Sequence, residues 1–399
     1  MPVFQYRSDM AGAPVLSGTQ GTLIDVLDAC LVNGFGHTTP TQITRDGTTV
    51  TVGYVEPHNY ATRDWIEFSG AEEPEYNGVH RVTKVDDYTL QYPIQSTPTS
   101  PATGVFAAKR APAGFAKPFS GLNKAAYQST HPRSNKHYLR ISDEGTSSAG
   151  ARFAGVCAYE KMLDIDTGER RFPTQLTFAH PDGAWWCKSK TNDADSRMWH
   201  IVSDGITFYI ALGTRLGATD FRDESYTHLQ AFGQLKTFVP DAYASFLSVM
   251  NGHNDDHSVS GVLHPASDAQ SPSSKAAPIA IARNFSGHGT IYGVALIGHG
   301  FGQQYCLGQT AYLGYPHRPD GRFYVCPVMA YENDNGVYVR GQLPGAYESP
   351  HGRVFSHGHL LASNAIVGME GRSLMLMGGR GSSYSYFGGI WIDMDAEWV

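Results

Sequence analysis

The sequence predicts a mainly β chain, assembled from several β-sandwich or barrel modules, with one amphipathic helix near the amino end. Three observations predict it. Short runs alternate apolar and polar residues between turn signals, the period that buries one face of a strand. Of 399 residues, 44 are glycine, 12% are aromatic and only 17% are charged, a balance suited to strands joined by tight turns. One stretch, Thr19 to Gly36, carries a helical period instead.

In that stretch Leu23, Ile24, Val26, Leu27, Cys30 and Leu31 fall at i, i+1, i+3, i+4, i+7 and i+8, which places them on one stripe. Such a stripe has to be covered, so Leu23, Ile24, Leu27 and Leu31 are the predicted packing or interface residues. Thr22 followed by Asp25 predicts a capping box, and Asn33-Gly34 a left-handed stop.

The length exceeds what one core usually serves, so several domains are expected. Residues 1–36 form the helix and arm. Residues 37–108 read as a small five-strand barrel or sandwich, with turns at Asp46-Gly47 and Asn77-Gly78 and an interior of Ile43, Val50, Val52, Ile66, Phe68, Val79, Val82, Val85 and Leu90. The run STPTSPATG that ends it reads as a linker. Residues 109–250 form a central β-domain, 251–277 a His/Ser/Pro-rich loop or junction, and 278–399 a C-terminal β-domain. In the last strand Ile390, Ile392, Met394 and Ala396 should face the core, while Trp391, Asp393, Asp395 and Glu397 form an acidic face turned to water.

A net charge of −7, with no Lys/Arg run longer than two, supplies no basic footprint for nucleic acid. Five scattered cysteines without a CxxC pair read as free, buried thiols of a chain made in a reducing cytosol. No run reaches the roughly 18 apolar residues of a membrane span, and no signal-peptide core opens the chain.

The motifs of common chemistries are missing or incomplete. There is no G-x-S-x-G elbow and no P-loop, and GHGTIYG and GHGFGQQ lack the third glycine of a dinucleotide fingerprint. His351, His357 and His359 could supply metal ligands, since an H-x-H pair on a strand projects both rings from one face, but two ligands and a distant third are few. His253 to His257 is oxygen-rich without calcium spacing. Asp164 with Asp166, or Asp393 with Asp395, would be the carboxylate pair of a glycosidase, although a self-capping turn and a solvated face explain them as well. Trp185, Trp186, Tyr384 and Tyr386 are candidates for stacking on a ligand or partner, against a role in the core. The expectation is a protein without catalytic residues, resident metal or cofactor.

The segment SDMAGAPVLSGTQGTLIDVLDACLVNGFG resembles the amino-terminal signature of a family of tailed-bacteriophage virion structural proteins, whose members carry a segment like APxLSGxxGSLIxLLDACLVNGYG leading into AAAGWTKPFSGTNKAVYR. The second half stands here at Lys109 to Ser129, KRAPAGFAKPFSGLNKAAYQS, as though residues 37–108 were inserted between two halves. HYLRISDEG, ARFAGVCAYEKMLDIDTGERRFPT, WHIVSDGITFYI, KTFVPDAYASFL, GQLPGAYESPH and IWIDMDAEW continue the resemblance over most of the chain; the 251–277 loop does not match. The resemblance implies a subunit of a phage tail, in the baseplate or tail tip, assembled in the host cytoplasm with other tail proteins and as a homo-oligomer, a trimer or hexamer around the tail axis. The alternative is a receptor-binding module for a host surface glycan or pilus, and a further class is a glycan-cleaving tail enzyme.

Overall fold

The computed structural model describes residues 2–145, 150–174, 184–213, 227–249, 279–288, 291–297, 315–333, 337–349, 351, 355, 357–380 and 387–398. Tyr384, Tyr386, the 251–277 loop and the GHGFGQQ stretch lie outside them. The protein is mainly β, in several sheets, with one short helix near the amino end.

Among the described residues the largest sheet has twelve strands, antiparallel throughout. From edge to edge they are Phe4–Arg7, Trp199–Ser203, Phe208–Gly213, Thr227–Gln234, Ser245–Ser248, Ile279–Ile281, Ile291–Ile297, Cys326–Asn333, Val337–Glu348, Phe387–Asp393, Leu374–Arg380 and Leu360–Leu361. Its first half is buried on both faces, and the side-chain period of two shows how. Trp199 and Ile201, Phe208, Ile210 and Leu212, Leu247 and Ala280 enter one core. Val202, Tyr209 and Ala211, Phe246, Ile279 and Ile281 enter another, where they meet Met375, Met377, Ile390 and Ile392 of the second half. The long sheet therefore folds back on itself, and its two halves share a core as a sandwich.

The first core is closed by a six-stranded sheet in the order Phe115–Gly121, Lys124–Ser129, Tyr138–Ser142, Phe153–Met162, Gly168–Phe172, with Ala184–Cys187 also paired to Phe153–Met162. Tyr127, Leu139, Ile141, Val156 and Phe172 point inward, together with the whole helical stripe. The stripe is buried as predicted, with Leu23, Val26, Leu27, Cys30 and Leu31 fully covered and Ile24 nearly so. Burial of each such side chain stabilises by about 1.5–3 kcal/mol, which is what holds so short a helix. The helix is shorter than predicted: α1 covers Thr22–Leu27, and a wider π-type turn continues over Asp28–Asn33. Gly34 ends it at φ +74°, where a Cβ would stand 2.4 Å from the carbonyl oxygen of Arg110, so only glycine fits.

Between the helix and Phe115 stand two four-stranded sheets: Phe35–Thr38, Gly104–Arg110, Trp65–Ala71, Gly78–Arg81, and Gln42–Asp46, Thr49–Gly53, Thr89–Pro93, Thr83–Asp86. They enclose Ile43, Val50, Val52, Ile66, Phe68, Val82 and Leu90 with Tyr54, Tyr60, Tyr76 and Tyr92. Four of the sequence expectations need correction. There are eight strands rather than five. Val79 and Val85 are 43% and 54% exposed, because each sits on an edge strand. Asn77-Gly78 is not a two-residue hairpin turn; the Asn77 amide bonds the N–H and C=O of Ala71 at 3.0 and 2.8 Å and closes a wider loop. STPTSPATG is no free linker, since Ser100 accepts from the Arg45 N–H at 2.8 Å and Ala102 donates to Ile43 at 2.9 Å.

The last strand ends at Asp393: Ile390 and Ile392 keep the predicted core side, Met394 is buried just beyond it and Ala396 only half-buried, while on the second face Glu397 is exposed as expected but Trp391, Asp393 and Asp395 are not solvated. Trp391 packs in a separate apolar cluster with Phe323, Leu374 and Leu376. Asp393 is 1% exposed and ion-pairs with Arg372 at 3.1 Å.

Candidate functional site

The best-defined constellation is the junction where α1, the strand after it and the 109–141 segment meet. No capping box forms, contrary to the reading of Thr22 and Asp25. Gly21, at φ +81°, precedes the helix, and the Thr22 hydroxyl turns back to the carbonyls of Ser17 and Thr19 at 3.1 Å. The cap comes from far away: Asp143 Oδ2 accepts the Leu23 N–H at 3.0 Å, and the Asp143 carbonyl accepts the Gly21 N–H at 3.2 Å. Lys188 ion-pairs with that carboxylate at 2.6 Å, and both side chains are fully buried. Burial pushes the Asp143 carboxyl up to about 6, although Lys188 pulls the other way. It also lowers the Lys188 ammonium, against the attraction of Asp143.

At its far end the helical segment is tied to the first two strands of the six-stranded sheet and to the residues just before them. Lys117 bonds Asp28 Oδ2 at 2.5 Å, the Tyr127 hydroxyl donates to Asp28 Oδ1 at 2.8 Å, and the Ala113 N–H donates to the Cys30 carbonyl at 2.9 Å. Phe35 and Arg110, which flank the 37–108 segment, are paired neighbours across two strands. The Arg110 guanidinium reaches Ala11 O at 3.1 Å and Asn59 O at 2.7 Å and lies over the rings of Phe35 and Tyr60. It ion-pairs with Asp64 at 3.3 Å. Burial raises the Asp64 carboxyl in spite of that cation.

The same module is bound to the last turn of the chain. Asp395 accepts from Arg63 at 2.9 Å, from Arg81 at 3.0 Å and from the Ser373 hydroxyl at 2.7 Å. Burial opposes ionisation there, but Ser373 and the two guanidinium groups outweigh it and hold the carboxyl below its ordinary range. The Trp65 indole adds a bond to Val3 O at 3.0 Å. Asp395 is thus an intramolecular clamp, with its partners 332 and 314 positions away.

The residues proposed for chemistry are scattered. His351 Nε2 accepts the Tyr324 N–H at 2.9 Å, and its ring stacks on Phe323. His359 stacks on Phe355, and His357 turns inward to His200, with 2.9 Å between ring nitrogens. The three rings thus have separate partners, and no group of three or more metal-ligating side chains occurs among the described residues. Asp164 accepts the N–H groups of Asp166 and Thr167 at 2.8 Å, the self-capping turn, while Asp166 bonds Arg140 and Lys124. Trp185 is 4% exposed and Trp186 fully buried, with its indole donating to Ser248 O at 3.0 Å, so neither offers a face to a ligand. They lie on the strand Ala184–Cys187, covered on both faces. No protein-family model matches the chain, and no curated protein does. Among the described residues no helix is long and apolar enough to cross a membrane.

Sequence reading missed Asp143, Lys188, Arg63, Arg81 and His200. Each acts through a partner more than 100 positions away, Lys188 also through the Thr22 hydroxyl at 3.2 Å, a separation that leaves no local pattern.

Proposed function

We propose that this chain is a structural subunit of a phage tail, in the baseplate or tail-tip region, without enzymatic activity, and that it works in virion assembly as a homo-oligomer with other tail proteins. One observation carries the reading beyond motif resemblance. The two halves of the split signature, Ser8–Gly36 and Lys109–Ser129, fold as one unit through Asp28–Lys117, Asp28–Tyr127 and Cys30–Ala113, while the segment between them leaves and returns at the paired Phe35 and Arg110. That is the geometry expected if 37–108 is an addition to a shorter ancestral body. The carboxylates suggested for glycan cleavage serve the fold rather than catalysis in this reading, since Asp393, Asp395 and Asp166 are each bound to an arginine of the same chain.

The test is the particle itself. Mass spectrometry of purified virions of the encoding phage should find the chain at fixed stoichiometry, and a virion map should place it in the tail. Particles lacking it would end the proposal. Virions carrying a deletion of 37–108 decide whether the module also contacts a host receptor: unchanged adsorption removes it from that duty.

A further inference from the structure

Asp143 and Lys188 stand at matching places on either side of one strand. Asp143 follows Tyr138–Ser142, Lys188 follows Ala184–Cys187, and Gly155 of the strand Phe153–Met162 is paired to Ser142 on one side and to Trp185 on the other. The two side chains meet below the first turn of α1, both fully buried. Lys188 Nζ lies 2.6 Å from Asp143 Oδ1, yet the approach is bent outside the angles of a hydrogen bond. Because Cγ is one bond from that oxygen, the nitrogen stands near the separation of about 3–3.5 Å from which bonds form. The ammonium gives hydrogens to the Thr19 carbonyl and, at 3.2 Å, to the Thr22 hydroxyl, which leaves its third position for the carboxyl group. The other oxygen, Oδ2, is held by the Leu23 N–H at 3.0 Å. A desolvated amine, a carboxyl carbon and an N–H donor on the second oxygen are the parts that acyl transfer needs.

We propose that Lys188 and Asp143 condense, once the chain has folded, into an intramolecular isopeptide bond, and that the ion pair is the state from which it forms. The ammonium first passes one proton to the carboxylate, giving an amine and an acid. The lone pair on Nζ then attacks Cγ, and the Leu23 N–H meets the charge that develops on Oδ2. The Cγ–Oδ1 bond breaks, and Oδ1 leaves as water with the proton it received and a second one from Nζ. One N–C bond replaces one C–O bond, nothing is oxidised or reduced, and no further reactant is consumed. Burial supplies the drive, since two charges held out of water are costly and a neutral amide removes both. It also pushes the carboxyl up to about 6 and lowers the ammonium, toward the neutral partners that react. The bond staples the two neighbours of Phe153–Met162 to each other across its start.

The test is the mass of the full chain, purified folded and then denatured for electrospray. It should fall below the sequence mass by one water, and digestion should yield a branched peptide whose fragments join Asp143 to Lys188. Chain held unfolded in denaturant should keep the full mass and lose the water on refolding. Lys188→Arg, which keeps the cation but cannot close this bond, should keep the full mass when folded. A folded wild-type chain still at full mass after days near neutral pH overturns the proposal. So does a lost water found only in linear peptides, the mark of a cyclised aspartate, or the same loss in Lys188→Arg. Should that variant not fold, the wild-type peptide map decides alone.

Discussion

Asp143 Oδ2 accepts the backbone N–H of Leu23 at 3.0 Å, so the first turn of the only α-helix among the described residues is capped from 120 positions away. The carboxylate is itself held by Lys188 at 2.6 Å in full burial. Asp143→Ala should cost about 3–5 kcal/mol, because it strands a buried ammonium as well as the cap. Asp143→Asn combined with Lys188→Met should cost less than the single change. Denaturant melts of the three variants check this, and equal losses would refute the coupling.

Leu27 is fully covered inside the main core. Leu27→Ala should destabilise by about 2–5 kcal/mol, and Leu27→Asp should prevent the body from folding while the 37–108 module keeps its own structure. Thermal melts and limited proteolysis followed by mass spectrometry give the result. A Leu27→Asp chain that folds and melts like the wild type would count against this packing.

The clamp at Asp395 predicts a coupling between module and body. Double-mutant cycles of Arg81→Ala with Asp395→Ala, read by chemical denaturation, should give an interaction of about 0.5–3 kcal/mol. The lower half of that range is expected, since the Arg81 side chain is 34% exposed. Additive losses would show that the contact contributes nothing.

Acid should weaken the fold through His137, an effect that the raised Asp143 carboxyl opposes over part of the same range. His137 is lowered to about 4, chiefly by burial and further by Arg283, against Glu160. Its neutral form is favoured in the folded state, so the unfolded chain binds protons first. Stability is then full above the unperturbed value near ~6.5 and lost as pH falls from there toward about 4. Stability measured against pH should be flatter in His137→Gln over that window, and an unchanged curve would assign the acid loss elsewhere.

Because Phe35 and Arg110 are adjacent, replacing residues 37–108 by a short glycine-containing link should leave a body that still melts cooperatively, and residues 35–110 alone should fold. Circular dichroism melts of both pieces check it. Failure of the shortened body would make the module part of the core rather than an attachment.

The helical stripe was legible because six apolar side chains repeat at 3.6 residues within one short stretch, and the period survives any tertiary context. Its cap was not, because the competing acceptor, Asp143, is remote and outdoes the local Asp25. Strand alternation located the strands of the module but not its edges, so Val79 and Val85 were placed inside. For Trp185 and Trp186 a core or subunit role is the favoured sequence reading over ligand stacking, and both are buried; the pattern alone could not decide it, because a strand covered on both faces has no polar side. The inward turn of His357 depends on the sheet meeting itself, which no local spacing encodes.

The strand Phe4–Arg7 pairs with Trp199–Ser203, so during synthesis it must wait until that distant strand has been made before it gains this neighbour. Helix α1 waits likewise, for Tyr127, Asp143 and Lys188. The small module needs only contacts between residues 35 and 110 to complete its own sheets. Synthesis should therefore deliver a finished module tethered to an unfinished body, whose strand edges stay unpaired until late, and that interval is the one most open to misassembly.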